Sequence, residues 1–267
     1  MNETKQVTRS IDMGGRCLAF TESGRGTPTV VLETGLGAES EEWSAVQWTL
    51  APLTRVCRYD RAARGASDRA PQPRHALDLV DDLHSLLQRA DAAPPYVLVG
   101  QSLGGLLVRL FAHRHRQQVA GLVLVDAMHE DQFDVFGSTF PPPRAEEPAG
   151  LAQTREFWTR GWRDWLSTQE GIDFVASCAQ ARTIDSLGDM PMHVLSAGTF
   201  LNQPLIPEAL RPRLQGMWDE LQRRLTRLST RSTWTRVAGS GHFLQREAPQ
   251  QVAAAIASMV EHVRRSA

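Results

Sequence analysis

The chain carries 267 residues, 29 of them Lys or Arg and 30 Asp or Glu, for a formal charge of −1. That length suits one large buried core, and without a basic run nothing points to a nucleic-acid partner. No apolar run approaches the ~18 residues that span a bilayer, and residues 1–10 lack the apolar stretch of a secretory signal, so a cytoplasmic protein with no membrane contact is expected. Lys5 is the only lysine, which reads as genomic composition bias rather than function. Cys17, Cys57 and Cys178 are odd in number, far apart and without metal-ligand spacing. Reduced structural thiols and no metal site are expected from them.

In chain order, Cys17–Glu22 and Thr29–Glu33 read as strands around the turn-forming Ser23-Gly24-Arg25-Gly26. Glu41–Leu53 reads as a helix and Arg55–Tyr59 as the next strand. Leu77, Val80, Leu83, Leu87 and Ala90 mark one apolar helical face. Tyr96-Val97-Leu98-Val99 is a short apolar strand, after which Leu103, Leu106, Leu107, Leu110 and Phe111 recur at helical spacing. Val119–Val125 is apolar throughout, as a central parallel strand is. Strands alternating with helices imply an α/β protein with a mostly parallel, doubly wound sheet.

The rhythm breaks between Met128 and about Asp189, where a Pro141-Pro142-Pro143 stop and a tryptophan-rich helical stretch replace any strand signal. Met192–Ala197 resumes the sheet. A helix over about Pro207–Leu228, a strand at Ser232–Val237 and a closing helix bearing Val252, Ile256, Met259, Val260 and Val263 follow. The expected division is a core of residues 1–127 and 190–267 with a helical cap inserted at 128–189. Trp158, Trp162 and Trp165, at i, i+4 and i+7, share one face of the expected cap helix. They either dock the cap on the sheet or wall an apolar substrate pocket.

Gly100-Gln101-Ser102-Leu103-Gly104 sits where a buried strand meets a helix. A serine at so sharp a turn is a nucleophile elbow, and small residues two positions away let strand and helix approach. The helix N-terminus beside Ser102 offers free amides to an oxyanion. A serine needs a base. Of eight histidines, His242 has the best context, in Gly239-Ser240-Gly241-His242-Phe243 between the last strand and the final helix; capping that helix is its plainer role.

This order of strand, elbow serine, strand-end acid, cap and Gly-His-Phe resembles the α/β-hydrolase superfamily over essentially the whole chain, from about Val7 to Val263. Val30-Val31-Leu32-Glu33-Thr34-Gly35-Leu36-Gly37 is similar to the family's oxyanion loop, and Tyr59-Asp60-Arg61-Ala62-Ala63-Arg64-Gly65 to the loop after its fourth strand. The family often has histidine where this chain has Thr34 and Gln101. The resemblance implies oxyanion donors at the backbone N–H groups of Leu36 and Leu103, and a brace role for Asp60 and Arg61. In most of the superfamily the acid follows the strand after the cap, but Gly198-Thr199-Phe200-Leu201-Asn202 holds no carboxylate. A subset places it at the end of the strand before the cap, which is Asp126 here; that residue could otherwise cap the first cap helix. Glu130, Asp131 and Asp134 are alternatives within the cap.

The expectation is therefore a serine hydrolase with Ser102, His242 and Asp126 as its triad, taking a small-molecule ester, thioester or lactone and using no cofactor. Acyl transfer, C–C bond hydrolysis, cofactor-free peroxidase chemistry and non-catalytic ligand binding remain open on the same fold.

Overall fold

Eight strands form one sheet: β1 (Val7–Asp12), β2 (Cys17–Ser23), β3 (Thr29–Glu33), β4 (Val56–Tyr59), β5 (Tyr96–Gln101), β6 (Val119–Val125), β7 (Met192–Ala197) and β8 (Ser232–Val237). Their order is β1-β2-β4-β3-β5-β6-β7-β8. β2 runs antiparallel to β1 and β4, and every other pairing is parallel. The helices are α1 (Ser44–Leu50), α2 (Ala76–Arg89), α3 (Leu103–Arg114), α4 (Gln132–Gly137), α5 (Ala149–Thr159), α6 (Phe174–Ala181), α7 (Arg211–Thr226), α8 (Leu244–Glu247) and α9 (Pro249–Ser266). The computed structural model describes residues 5–140, 142–144, 146–147, 149–199, 206 and 208–266.

The period of two along each central strand divides the core. Val30, Leu32, Val97, Val99, Val123 and Val125 turn to one face, where they pack with Trp43 and Val46 and with Val252, Ile256 and Val260 of α9. Val31, Leu98, Leu122 and Leu124 turn to the other, against Leu83 and Leu87 of α2 and Leu107 and Phe111 of α3. With both faces covered, the central strands lack polar alternation.

Between β6 and β7 the chain runs through α4, α5, three short 3-10 turns and α6. This insertion has no separate core: Phe133, Trp162, Ile172, Phe174 and Cys178 join the cluster that α2 and α3 build on the sheet. Phe136 packs instead with Leu214, Trp218 and Leu221 of α7. The insertion is thus pinned at both flanks over the C-terminal ends of the parallel strands.

Three local expectations change. β1 is an edge strand with mostly exposed residues, so it lacks the apolar face by which strands are recognised; its six-residue ladder to β2 supplies the regularity. The expected helix at 41–53 is a 3-10 turn at Ser40–Trp43 followed by the shorter α1. The tryptophans do not share a helix. α5 stops at Thr159, Arg160 turns to φ −149°, and Trp162 and Trp165 fall in two separate 3-10 turns.

Trp162 is buried, 6% exposed, and stacks on Phe133 with ring centres 4.6 Å apart and planes 7° from parallel. Trp162→Ala should lower stability by about 3–5 kcal/mol, as core aromatic truncations do. The half-buried Trp165 should cost much less, and urea unfolding midpoints of the two variants check the order.

Candidate active site

β5 ends at Gln101 and α3 begins at Leu103, leaving Ser102 alone to turn the chain, at φ 52° and ψ −121°. Such angles cost a non-glycine residue about 1–3 kcal/mol and persist only where the surroundings fix them. Here they do. The Ser102 N–H donates to the Val125 carbonyl (3.2 Å), and its own carbonyl accepts from Gly105 (2.9 Å) and Met128 (2.8 Å). A Cβ on Gly100 would lie 2.3 Å from the Gly104 carbonyl oxygen, and one on Gly104 2.5 Å from that of Glu33. Both positions must be glycine for α3 to start this close to the sheet.

Asp126, one residue beyond β6, is fully buried and also turned to positive φ (44°). One carboxylate oxygen accepts the Ala197 N–H (2.8 Å) and the indole N–H of Trp218 (2.7 Å). The other lies 2.6 Å from His242 Nδ1. A carboxylate can only accept, so Nδ1 carries the proton and Nε2 of the neutral ring is the basic nitrogen. His242 sits in the loop after β8, held where the Gly241 N–H donates to Glu247 (2.5 Å) and the Gln101 amide donates to the His242 carbonyl (3.0 Å). Ser102 and His242 face one cavity.

The other acid candidates are engaged elsewhere. Glu130 pairs with Arg109 of α3 (3.0 Å), Asp131 with Arg182 (3.0 Å) and Arg224 (2.9 Å), and Asp134 with Arg182 (3.4 Å). Asn202 lies outside the described residues.

Behind Ser102 lies the loop Thr34–Gly37. The Leu36 and Leu103 side chains line the cavity, and neither backbone N–H is taken by another described residue. Arg61, 2% exposed, fixes this loop from beneath. It donates to the carbonyls of Thr34 (2.7 Å) and Gly35 (2.5 Å), and pairs with Glu33 (2.6 Å) and with Glu170 of the insertion (2.7 Å). Glu170 in turn accepts the Gly37 N–H at 2.6 Å. Burial pushes the Glu33 carboxyl up, against Arg61 and the Tyr59 hydroxyl that donates to it. At Glu170 burial also pushes upward, but Arg61 and the Gly37 N–H outweigh it and the carboxyl sits below its ordinary value. Asp60 braces the next loop, accepting the Ser40 N–H at 2.8 Å.

Glu33 ends an otherwise apolar strand, and a carboxylate there demands a buried cation, a signal that could have marked it. Nothing local marks Glu170 or Trp218, which act across more than ninety residues of sequence.

The cavity holds about 430 Å³ and is walled by Leu36, Leu103 and Phe243 from the core and Phe133, Phe157 and Trp158 from the insertion. Trp158 is therefore at the pocket, whereas Trp162 and Trp165 are not among its described lining residues, because the chain leaves the helix before reaching them.

A family model described as "Alpha/beta hydrolase family" matches residues 30–255. The chain belongs to the α/β-hydrolase family. This α/β-hydrolase is similar to protein YqjL of Bacillus subtilis, 28% identical over 90% of this chain and 87% of that one. It is also similar to a haloalkane dehalogenase of Mycolicibacterium smegmatis, 25% identical over 95% and 90% of the two chains. It spans only 42% and 38% of the length of two longer curated relatives. A thermophilic esterase from Thermogutta terrifontis shares the fold, with a TM-score of 0.64 at 21% identity over 97% and 99% of the two chains. Family and fold together make this chain a hydrolase enzyme. Among the described residues no helix is long and apolar enough to cross a membrane.

Two outcomes follow from the buried charges. Arg61→Met leaves Glu33 and Glu170 facing each other, 1% and 3% exposed, without their cation. A loss of about 3–5 kcal/mol in denaturant unfolding is expected. Burial pushes the His129 imidazole from its ordinary 6.5 down to about 4, more than Glu130 and Asp131 offset. Below pH 6.5 the unfolded chain then binds a proton that the folded protein refuses. This part of the stability is complete above pH 6.5 and is lost as pH falls toward 4. His129→Asn keeps an acceptor for the Asp131 N–H and should flatten that part of the stability–pH curve by about 2–3 kcal/mol.

Proposed function

We propose that this α/β-hydrolase is a serine esterase that cleaves esters, thioesters or lactones of small to medium apolar compounds through an acyl-enzyme. The observation that carries the reading is the 2.6 Å contact between His242 Nδ1 and the buried Asp126, with Ser102 strained into the same cavity. Ser102 Oγ attacks the carbonyl carbon while His242 Nε2 takes its proton. The oxyanion lies between the N–H groups of Leu36 and Leu103, where each preorganised donor is worth about 10²–10³ in rate. As the tetrahedral intermediate collapses, His242 gives the proton to the departing alkoxide or thiolate. Water, deprotonated by His242, then attacks the acyl carbon, and Ser102 leaves with the proton.

Asp126 fixes the tautomer and stabilises the imidazolium formed in each half-reaction. An aromatic-walled cavity of about 430 Å³ suits an apolar acyl or alcohol group. Halide displacement, the reaction named for one relative, is disfavoured by the serine. Its attack on an alkyl halide would leave an ether, which has no carbonyl for water to attack.

Activity against 4-nitrophenyl esters of graded chain length, with phosphonate labelling of Ser102, tests the proposal. Ser102→Ala should reduce turnover to background without unfolding the protein. Asp126→Asn should lower kcat by about 10³–10⁴. A kcat near wild type in either variant overturns the mechanism. Trp158→Ala should shift the preference toward bulkier chains.

A further inference from the structure

Three polar residues outside the triad, Gln132, Gln153 and Thr154, are among the described residues lining the cavity. Gln132, at the start of α4, lines the cavity with Phe133, Phe157, Trp158 and Phe174 and is only 8% exposed. Its backbone N–H donates to His129 (3.0 Å), but its side-chain amide makes no hydrogen bond with any described residue. The other polar residues of the insertion at the cavity differ. The Thr154 hydroxyl donates to the Gly150 carbonyl at 2.8 Å, and Gln153 is exposed to solvent. A carboxamide carries two donors and an acceptor, and with no described residue taking them they are left to whatever fills the cavity. An amide on a mostly aromatic and aliphatic cavity wall, with no partner among the described residues, is therefore available to exchange water for a polar group of the ligand.

The charge pattern narrows the partner. None of the described residues lining the cavity is charged. The charged side chains beside Gln132 in the sequence are already paired, Glu130 with Arg109 and Asp131 with Arg182 and Arg224. A carboxylate or ammonium carried into this wall would lose its hydration and gain only a neutral amide among aromatic rings.

We propose that Gln132 is a specificity-determining residue: it hydrogen-bonds an uncharged oxygen, a carbonyl or hydroxyl, several bonds from the scissile carbonyl of the substrate. The preferred substrate is thus a neutral ester with an internal polar oxygen rather than a plain alkyl ester. The inference rests on the proposed esterase reading only for the identity of the scissile bond.

Binding to the Ser102→Ala protein separates the two, because that measurement needs no turnover. The probes are N-butylhexanamide and its 4-oxo and 5-oxo analogues, titrated calorimetrically, with the amide standing for the scissile ester. At least one oxo compound should bind about 2- to 10-fold more tightly than the alkyl amide, the range of one neutral hydrogen bond. Adding Gln132→Leu should abolish that preference by weakening the oxo compound and leaving the alkyl amide unchanged or tighter. Gln132→Met, closer in shape, should do the same, and thermal melting confirms that each variant is folded. The analogue ending in a carboxylate should bind at least about 30-fold more weakly than the favoured oxo amide. Equal binding of oxo and alkyl amides, a preference that survives both Gln132 variants, or tight binding of the carboxylate overturns the proposal. Failure of ester turnover in the wild-type protein would instead defeat the esterase reading and leave this binding result standing.

Discussion

The hydrogen bond between Asp126 and His242 is the contact on which the site depends, because one carboxylate gathers donors from β7, from α7 and from the loop after β8. Asp126 directly follows β6, receives the N–H of Ala197 at the end of β7, takes the indole N–H of Trp218 from α7, and holds the loop after β8 through His242. A carboxylate buried this completely is tolerated only when its oxygens are occupied by donors. Two donors on one oxygen leave the other for the imidazole alone. The sheet and α7, through Asp126, thus share with the loop in setting the orientation of the histidine.

A second buried charge does the same work for the opposite wall. Arg61 joins Glu33, the carbonyls of the Thr34–Gly37 loop and Glu170 of the insertion. Replacing such a group of ions by apolar residues of equal volume is often no worse for stability, so burial of this triad is weak evidence for a stabilising role. Its consequence is geometric. Through Glu170 and the Gly37 N–H, the loop that carries the Leu36 amide is held by both the core and the insertion. Any change in the seating of the insertion is therefore felt at that amide.

Much of this was legible in the sequence where a local pattern is narrowed to one solution by its neighbours. The apolar run Val119–Val125 reads as a strand covered on both faces because strands and helices alternate around it, and Gly100-Gln101-Ser102-Leu103-Gly104 reads as a tight turn because a strand precedes it and a helix follows. The tryptophan spacing had two solutions. Periodicity presumes an unbroken helix, and Arg160 ends it, so Trp158 reaches the pocket while Trp162 stacks on Phe133. β1 was hidden because an edge strand buries little and is defined by its partner's backbone. Glu170, Trp218 and Gln132 were hidden for a third reason. Each matters through a neighbour distant in sequence or through an empty volume, and neither leaves a trace in local composition.

The two strained residues explain one another. Gln101 and Val125 are partners in the β5–β6 ladder, so Ser102 and Asp126 are the next residues along two adjacent parallel strands. Both turn to positive φ, at 52° and 44°. The Ser102 N–H reaches back to the Val125 carbonyl, the Asp126 N–H to that of Leu195, and the Ser102 carbonyl accepts from Met128 two residues beyond Asp126. Each strand thus supplies the hydrogen bonds that hold its neighbour's departure from the sheet. A single strained turn at a strand end could relax by fraying, but a pair that shares its backbone bonds cannot relax one member without unpairing the other. The strain is held by the four central parallel strands β3, β5, β6 and β7, which have little exposed surface through which to loosen. This is the physical sense in which a parallel sheet suits such a site: strand ends are the only places where its backbone is free to turn, and here two of them turn together.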